Sequence, residues 1–265
     1  MRRIQFIEIH DQPWFPRFLR DCVTADLQIL LSIGNPYHAI VHRLRRALER
    51  SGTNRVLDLC SGAGGPWPWL YQVFEQEEHF EVQVCLTDKY PNLMAREQAR
   101  TNSPENIHFG SCPVDATQVP PELRGFRTFF ASFHHFPPGQ ARRILQDAIA
   151  SGQGIGIFEL AGRHLLTILL VLLIPIADII LVPILRPMRW SQLLWRLLWT
   201  LLIPIVPAVL LFDGVVSCLR VYSPRELEEL TAELASESYV WEIGVEKRGF
   251  WRLPVTYLLG QPARQ

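Results

Sequence analysis

Between Arg55 and Pro66 the chain reads RVLDLCSGAGGP, and this segment restricts the fold more than any other. Its first half is an apolar run of strand length, and Gly62, Gly64 and Gly65 then supply a turn in which backbone can approach a ligand where any Cβ would collide. Further apolar runs predict strands over 80–89, 106–116, 127–136, 154–160, 239–246 and 254–259, seven strands in all. Helical segments lie between them: a region from Pro16 to Glu49 broken at Gly34 and Pro36, one from Gly139 to Ala150, and one opening at Ser223. In the last, Ser223 is the N-cap, Pro224 the first helical residue and Glu226 the capping-box partner. Alternating strands and helices predict an α/β domain with a mostly parallel seven-stranded sheet and helices on both faces.

Composition narrows the function. The 26 Lys and Arg balance 26 Asp and Glu, which argues against a nucleic-acid partner. Five cysteines, an odd count without C-x-x-C spacing, predict neither a disulfide framework nor a zinc site, so no metal is expected. The first twenty residues contain acids and two prolines and no continuous apolar stretch, so they do not read as a signal peptide, and the compartment reads as reducing cytosol.

Two acids fall where strands are expected to stop: Asp88 after the second and Asp115 after the third. The turn Asp58-Leu59-Cys60-Ser61-Gly62-Ala63-Gly64 lacks the G-x-G-x-x-G spacing of dinucleotide sites. Instead D-x-C-x-G-x-G resembles the first motif of class I methyltransferases dependent on S-adenosylmethionine (SAM), with Cys60 in place of the first glycine. The resemblance covers roughly residues 55–160 and 221–259. It extends to bacterial members with a similar C-S-G-x-G-G-P-W stretch and a membrane-type insertion.

That resemblance implies a Rossmann-like fold and SAM as cofactor. It places Asp58, Cys60, Ser61, Gly62 and Gly64 in the cofactor turn, Asp88 with Lys89 at the ribose hydroxyls, and Asp115 with Ala116 beside the adenine. Phe133, His134 and His135 would follow the fourth strand and face the methyl group. The chemistry agrees, since a ribose diol and an adenine edge need carboxylate acceptors. Competing readings stay open: Asp88 and Asp115 as helix N-caps, the glycine turn as a plain strand–helix connection, and the two histidines as pocket walls instead of a general base.

Residues 165–212 belong to another environment, with 35 apolar residues in 48 positions. Leu165–Ile184 and Leu193–Phe212 are each twenty residues long, about 30 Å as continuous helices, although prolines 175, 183, 204 and 207 interrupt both. Arg189, Gln192, Arg196 and Thr200 are spaced 3, 4 and 4 apart and form one polar stripe, with Trp190, Trp195 and Trp199 beside it. This pattern predicts a helical hairpin in the membrane interface, its basic stripe outermost. A two-span hairpin and a soluble cap or dimer contact are the alternatives.

The expected organisation is an N-terminal helical region over 1–50, a methyltransferase domain over 51–162 and 213–265, and the hydrophobic insertion over 163–212. Because the insertion leaves the sheet after the fifth strand, at the ligand-binding edge, the expected reaction is methyl transfer to a small apolar or lipid-like acceptor at the cytoplasmic face of a membrane. The rivals are a methyltransferase for a soluble metabolite, with the insertion as lid or homo-oligomer contact, and a non-catalytic SAM-binding membrane protein.

Overall fold

The computed structural model describes residues 2–92, 95–97, 105–160, 162–185, 190–234, 237–247 and 253–263, without the side chains of 191 and 192. Its strands are β1 (Arg55–Leu59), β2 (Gln83–Thr87), β3 (Ile107–Phe109), β4 (Phe126–Phe130), β5 (Ile155–Glu159), β6 (Tyr239–Glu246) and β7 (Val255–Pro262). The helices are α1 (Arg17–Ser32), α2 (Val41–Arg50), α3 (Trp67–Gln76), α4 (Pro138–Ala150), α5 (Leu165–Val171), α6 (Ile174–Leu185), α7 (Trp190–Leu197), α8 (Ile205–Arg220) and α9 (Pro224–Ala232). The chain divides into two compact units: Met1–Ile33 with Ala161–Val221, and Gly34–Leu160 with Tyr222–Gln265.

The second unit holds the sheet, in the order β3-β2-β1-β4-β5-β7-β6. The strands β1 to β5 pair in parallel, whereas β7 runs antiparallel to both β5 and β6. The sheet is therefore mixed, which corrects the expectation of a mostly parallel one. Connection length is the reason: eight residues separate β6 from β7, fewer than the dozen or so a parallel crossover needs.

Sheet burial follows the apolar runs. Every residue of β4 and β5 is buried, and Ala141, Ile144, Leu145 and Ala148 of α4, one stripe at helical spacing, pack with Phe129, Ile157 and Leu258 in one core. The start of α9 is fixed locally. Ser223 N–H donates to Glu226 Oε2 at 2.8 Å and Glu226 N–H donates back to Ser223 Oγ at 3.3 Å, a complete capping box.

The first unit is helical. Phe15, Leu19 and Val23 pack against Val206, Val209 and Leu210 of α8, so α1 shares a core with the apolar insertion. Asp213 of α8 accepts the N–H groups of Ile9 at 2.6 Å and His10 at 3.1 Å and thereby ties down the N-terminal segment. Pro175 lies in the first turn of α6 and Pro204 is the N-cap of α8, where a missing N–H costs no helical hydrogen bond, but Pro183 lies inside α6 and Pro207 in the first turn of α8, so neither of these two ends a helix. Among the described residues no single helix is long and apolar enough to cross a membrane. The apolar runs form two bent pairs, α5 with α6 at 49° and Leu193–Leu202 with α8 at 64°.

The polar stripe is reversed from expectation. Arg196 and Thr200 are 7% and 3% exposed and point into the unit. Arg196 donates to Asp178 Oδ1 at 2.7 Å and to its carbonyl at 3.0 Å, and it also pairs with Asp26 of α1. Two carboxylates with no exposed surface need a cation beside them, and this requirement decides which way the helix faces. Arg189 and the Gln192 side chain lie outside the described residues.

Candidate active site

At the carboxyl end of β1 the chain turns through four left-handed residues: Cys60 (φ +59°), Gly62 (+55°), Gly64 (+115°) and Gly65 (+53°). Such a path is open to glycine and strained for a residue with a Cβ, so Cys60 is held there by its surroundings. Ser61 supplies part of the hold: its N–H donates to the Thr87 carbonyl at 2.9 Å, and its Oγ accepts the Thr87 N–H at 3.1 Å. The far side of the turn is open, for a Cβ built on Gly65 would meet nothing within 4 Å.

Asp58 belongs beneath this turn and not at its surface. It is 1% exposed, and its Oδ1 accepts the Thr128 hydroxyl at 2.6 Å, joining β1 to β4. Burial raises its pKa to about 6, against hydrogen bonds from Thr128 and Ser61 that favour the charged form. Its part is to brace the turn.

Asp88 follows β2 directly and faces the turn. Its Oδ2 accepts the Gly62 N–H at 2.8 Å and its Oδ1 the Tyr90 N–H at 2.7 Å. Asp115, expected at the end of the third strand, lies six residues past it, because β3 stops at Phe109. The loop still delivers it: Val114 N–H donates to the Asp88 carbonyl at 2.9 Å, and Lys89 Nζ donates to Asp115 Oδ2 at 2.8 Å. Asp115 Oδ1 also accepts the N–H and hydroxyl of Thr117, at 2.9 and 2.7 Å, so it closes a local turn as well as presenting charge. Ala116 is buried at 3% in the core beside Leu57 and Leu59.

After β4 the chain passes through Ala131 (φ +46°) into a short 3-10 turn, Phe133–His135. Phe133, expected at the cofactor, has no exposed surface; it meets Phe129 and Tyr222 with ring centroids 5.6 Å apart in each case. It supports the site from within the core. His134 is 2% exposed and held by Glu159, the last residue of β5: the carboxylate accepts the His134 N–H at 3.0 Å and lies 2.9 Å from Nδ1. His135 is half-buried, with its ring 4.5 Å from that of His134.

Glu159 was absent from the expected site. The available signal was an acid in a strand apolar on both faces, which requires a buried partner. Thus the turn, Asp88, Lys89 and Asp115 gather at the ends of β1 and β2, and His134 and Glu159 join the ends of β4 and β5.

No protein-family model matches the sequence, and no curated protein matches it. Among solved structures the fold is shared with proteins crystallised with SAM or S-adenosylhomocysteine (SAH). The plantazolicin methyltransferase BpumL in complex with SAH is similar with a TM-score of 0.58 and 11% identity, over 96% of this chain and 94% of that one. Human N-acetylserotonin methyltransferase in complex with SAM gives 0.51 and 13%, over 98% of this chain and 62% of the other. PigF with SAH gives 0.51 and 15%, over 95% and 63%. This chain thus spans a little under two thirds of the latter two.

Proposed function

We propose that this protein transfers a methyl group from SAM to a small apolar or lipid-like acceptor, at the cytoplasmic face of a membrane. The observation that carries the reading is the juxtaposition of the left-handed turn at Cys60–Gly65 with the Asp88 carboxylate, 2.8 Å from Gly62 N, in a fold shared with methyltransferases. The residues suit the cofactor. Glycine leaves the turn open on one side, Asp88 sets a carboxylate, the kind of acceptor that ribose hydroxyls need, against that turn, and Asp115 adds an acceptor beside Lys89. When bound, SAM supplies a methyl group already activated on a cationic sulfur.

The chain's own work is then to position the acceptor and, where that acceptor is a hydroxyl, to remove its proton. Glu159 is an acceptor facing Nδ1, so it favours the tautomer with the proton on Nδ1 and leaves the lone pair on Nε2 of His134. Nε2 receives the acceptor's proton, and the Glu159 carboxylate stabilises the imidazolium that results. The lipid-like acceptor is supported by the exposed apolar residues of the helices that begin with α5 at Leu165, six residues along the chain from Glu159.

The test is incubation with methyl-labelled SAM and total membrane lipid, followed by separation of lipid and aqueous products. Label in a lipid product, with SAH formed in equal amount, is the expected result. Label confined to a water-soluble product transfers the assignment to a soluble metabolite, and binding of SAM without any labelled product makes the protein a non-catalytic binder.

A further inference from the structure

From Leu165 to Ile203 the described polar side chains are buried and the exposed ones are apolar. Among the described residues from Leu165 to Ile203, the polar and charged side chains are Thr167, Asp178, Arg196 and Thr200, and each is 9% exposed or less. Every described side chain exposed in that stretch is apolar, from Leu166 (66%) and Ile176 (55%) to Ile184 (73%), Trp190 (81%) and Leu202 (76%). Water selects the opposite arrangement. A medium without hydrogen-bonding capacity selects this one, because there the charged groups must satisfy one another inside, as Arg196 does with Asp26 and Asp178.

We infer that this face is immersed in the hydrocarbon of a lipid bilayer, held by apolar contact alone and not by attraction to anionic headgroups. The inference rests on the membrane part of the proposed function and replaces the interfacial, basic-stripe mode with an embedded one. A second protein surface suits the face less well. Among the described residues of α5, α6, α7 and the π-helical turn Leu198–Leu202 the exposed side chains are all apolar, whereas protein interfaces carry a polar rim and about one hydrogen bond per 100–200 Å². The twelve residues of α6 alone extend about 18 Å, short of the roughly 30 Å hydrocarbon core, and α5 and α6 meet at a 49° bend.

The experiment is flotation of the full chain with vesicles of neutral phosphatidylcholine at low salt and at about 1 M salt, where the Debye length is about 3 Å. The same fraction should float at both salt concentrations, and adding anionic lipid should not raise it. Flotation that needs anionic lipid and is lost in salt overturns the embedded mode while leaving membrane attachment intact. Failure to float on any vesicle overturns both, and a dimer in lipid-free buffer would then assign the face to a second copy. As an independent arm, Leu169→Glu, Ile176→Glu and Ile180→Glu together should reduce flotation about tenfold or more, with SAM titration of the sheet unit as the check on folding. Undiminished flotation of a folded triple variant contradicts the inference.

Discussion

Glu159 holds His134 twice, by the backbone N–H at 3.0 Å and at Nδ1 of the ring at 2.9 Å, with both residues 2% exposed. The strand that ends in the acid and the turn that carries the imidazole are 25 residues apart in sequence, and the β4–β5 pairing brings them together.

This relationship separates a base from a wall. If His134 takes a proton from a hydroxyl acceptor, His134→Ala lowers turnover about 10²–10⁴-fold and removes the acidic limb of the pH–rate profile. Glu159→Gln keeps KM and shifts that limb, because the carboxylate acts through the ring. Losses below about tenfold in both variants, with the wild-type profile, would leave the pair as a buried support.

The Lys89–Asp115 pair has a pH signature of its own. Burial pushes the Asp115 carboxyl up, but the hydrogen bonds from Lys89 and Thr117 outweigh it and bring the pKa from 3.8 down to about 2. A folded-state value below the unfolded one means that the pair's stabilisation is present above about 3.8 and is lost as pH falls through about 2. Lys89→Ala should move the Asp115 midpoint upward in a carboxyl NMR titration. An unmoved midpoint would show that the ion pair does not set it.

Cys60 tests whether the turn depends on backbone or thiol. Its φ of +59° suits glycine, so Cys60→Gly should leave stability unchanged or raise it by up to about 1 kcal/mol, and SAM affinity should survive. Cys60→Val, branched at Cβ in a left-handed position, should cost about 1–2 kcal/mol. Urea midpoints in the reverse order would contradict the backbone reading.

The elements readable from sequence were those decided locally. Ser223 and Glu226 lie within one helical turn, and β6 was read over the same residues, 239–246, that form it. Distant partners decided the rest. Arg196 and Thr200 shared a stripe by spacing, but its direction is set by Asp178 and by Asp26, 170 residues away. Asp115 was read as a strand end, whereas β3 closes at Phe109 and a single backbone bond from Val114 to Asp88 brings the acid in. Phe133 was placed at the cofactor, yet its packing with Phe129 and Tyr222 takes it into the core.

The most direct test of the central claim is calorimetric titration of SAM into the wild-type protein and into Asp88→Ala. A charge-assisted hydrogen bond of the kind assigned to Asp88 contributes about 1.5–3 kcal/mol, so the account predicts one SAM per chain and an affinity about 10- to 150-fold weaker in the variant. Absence of SAM binding by the folded wild-type chain, or equal affinity in the two proteins, would contradict it.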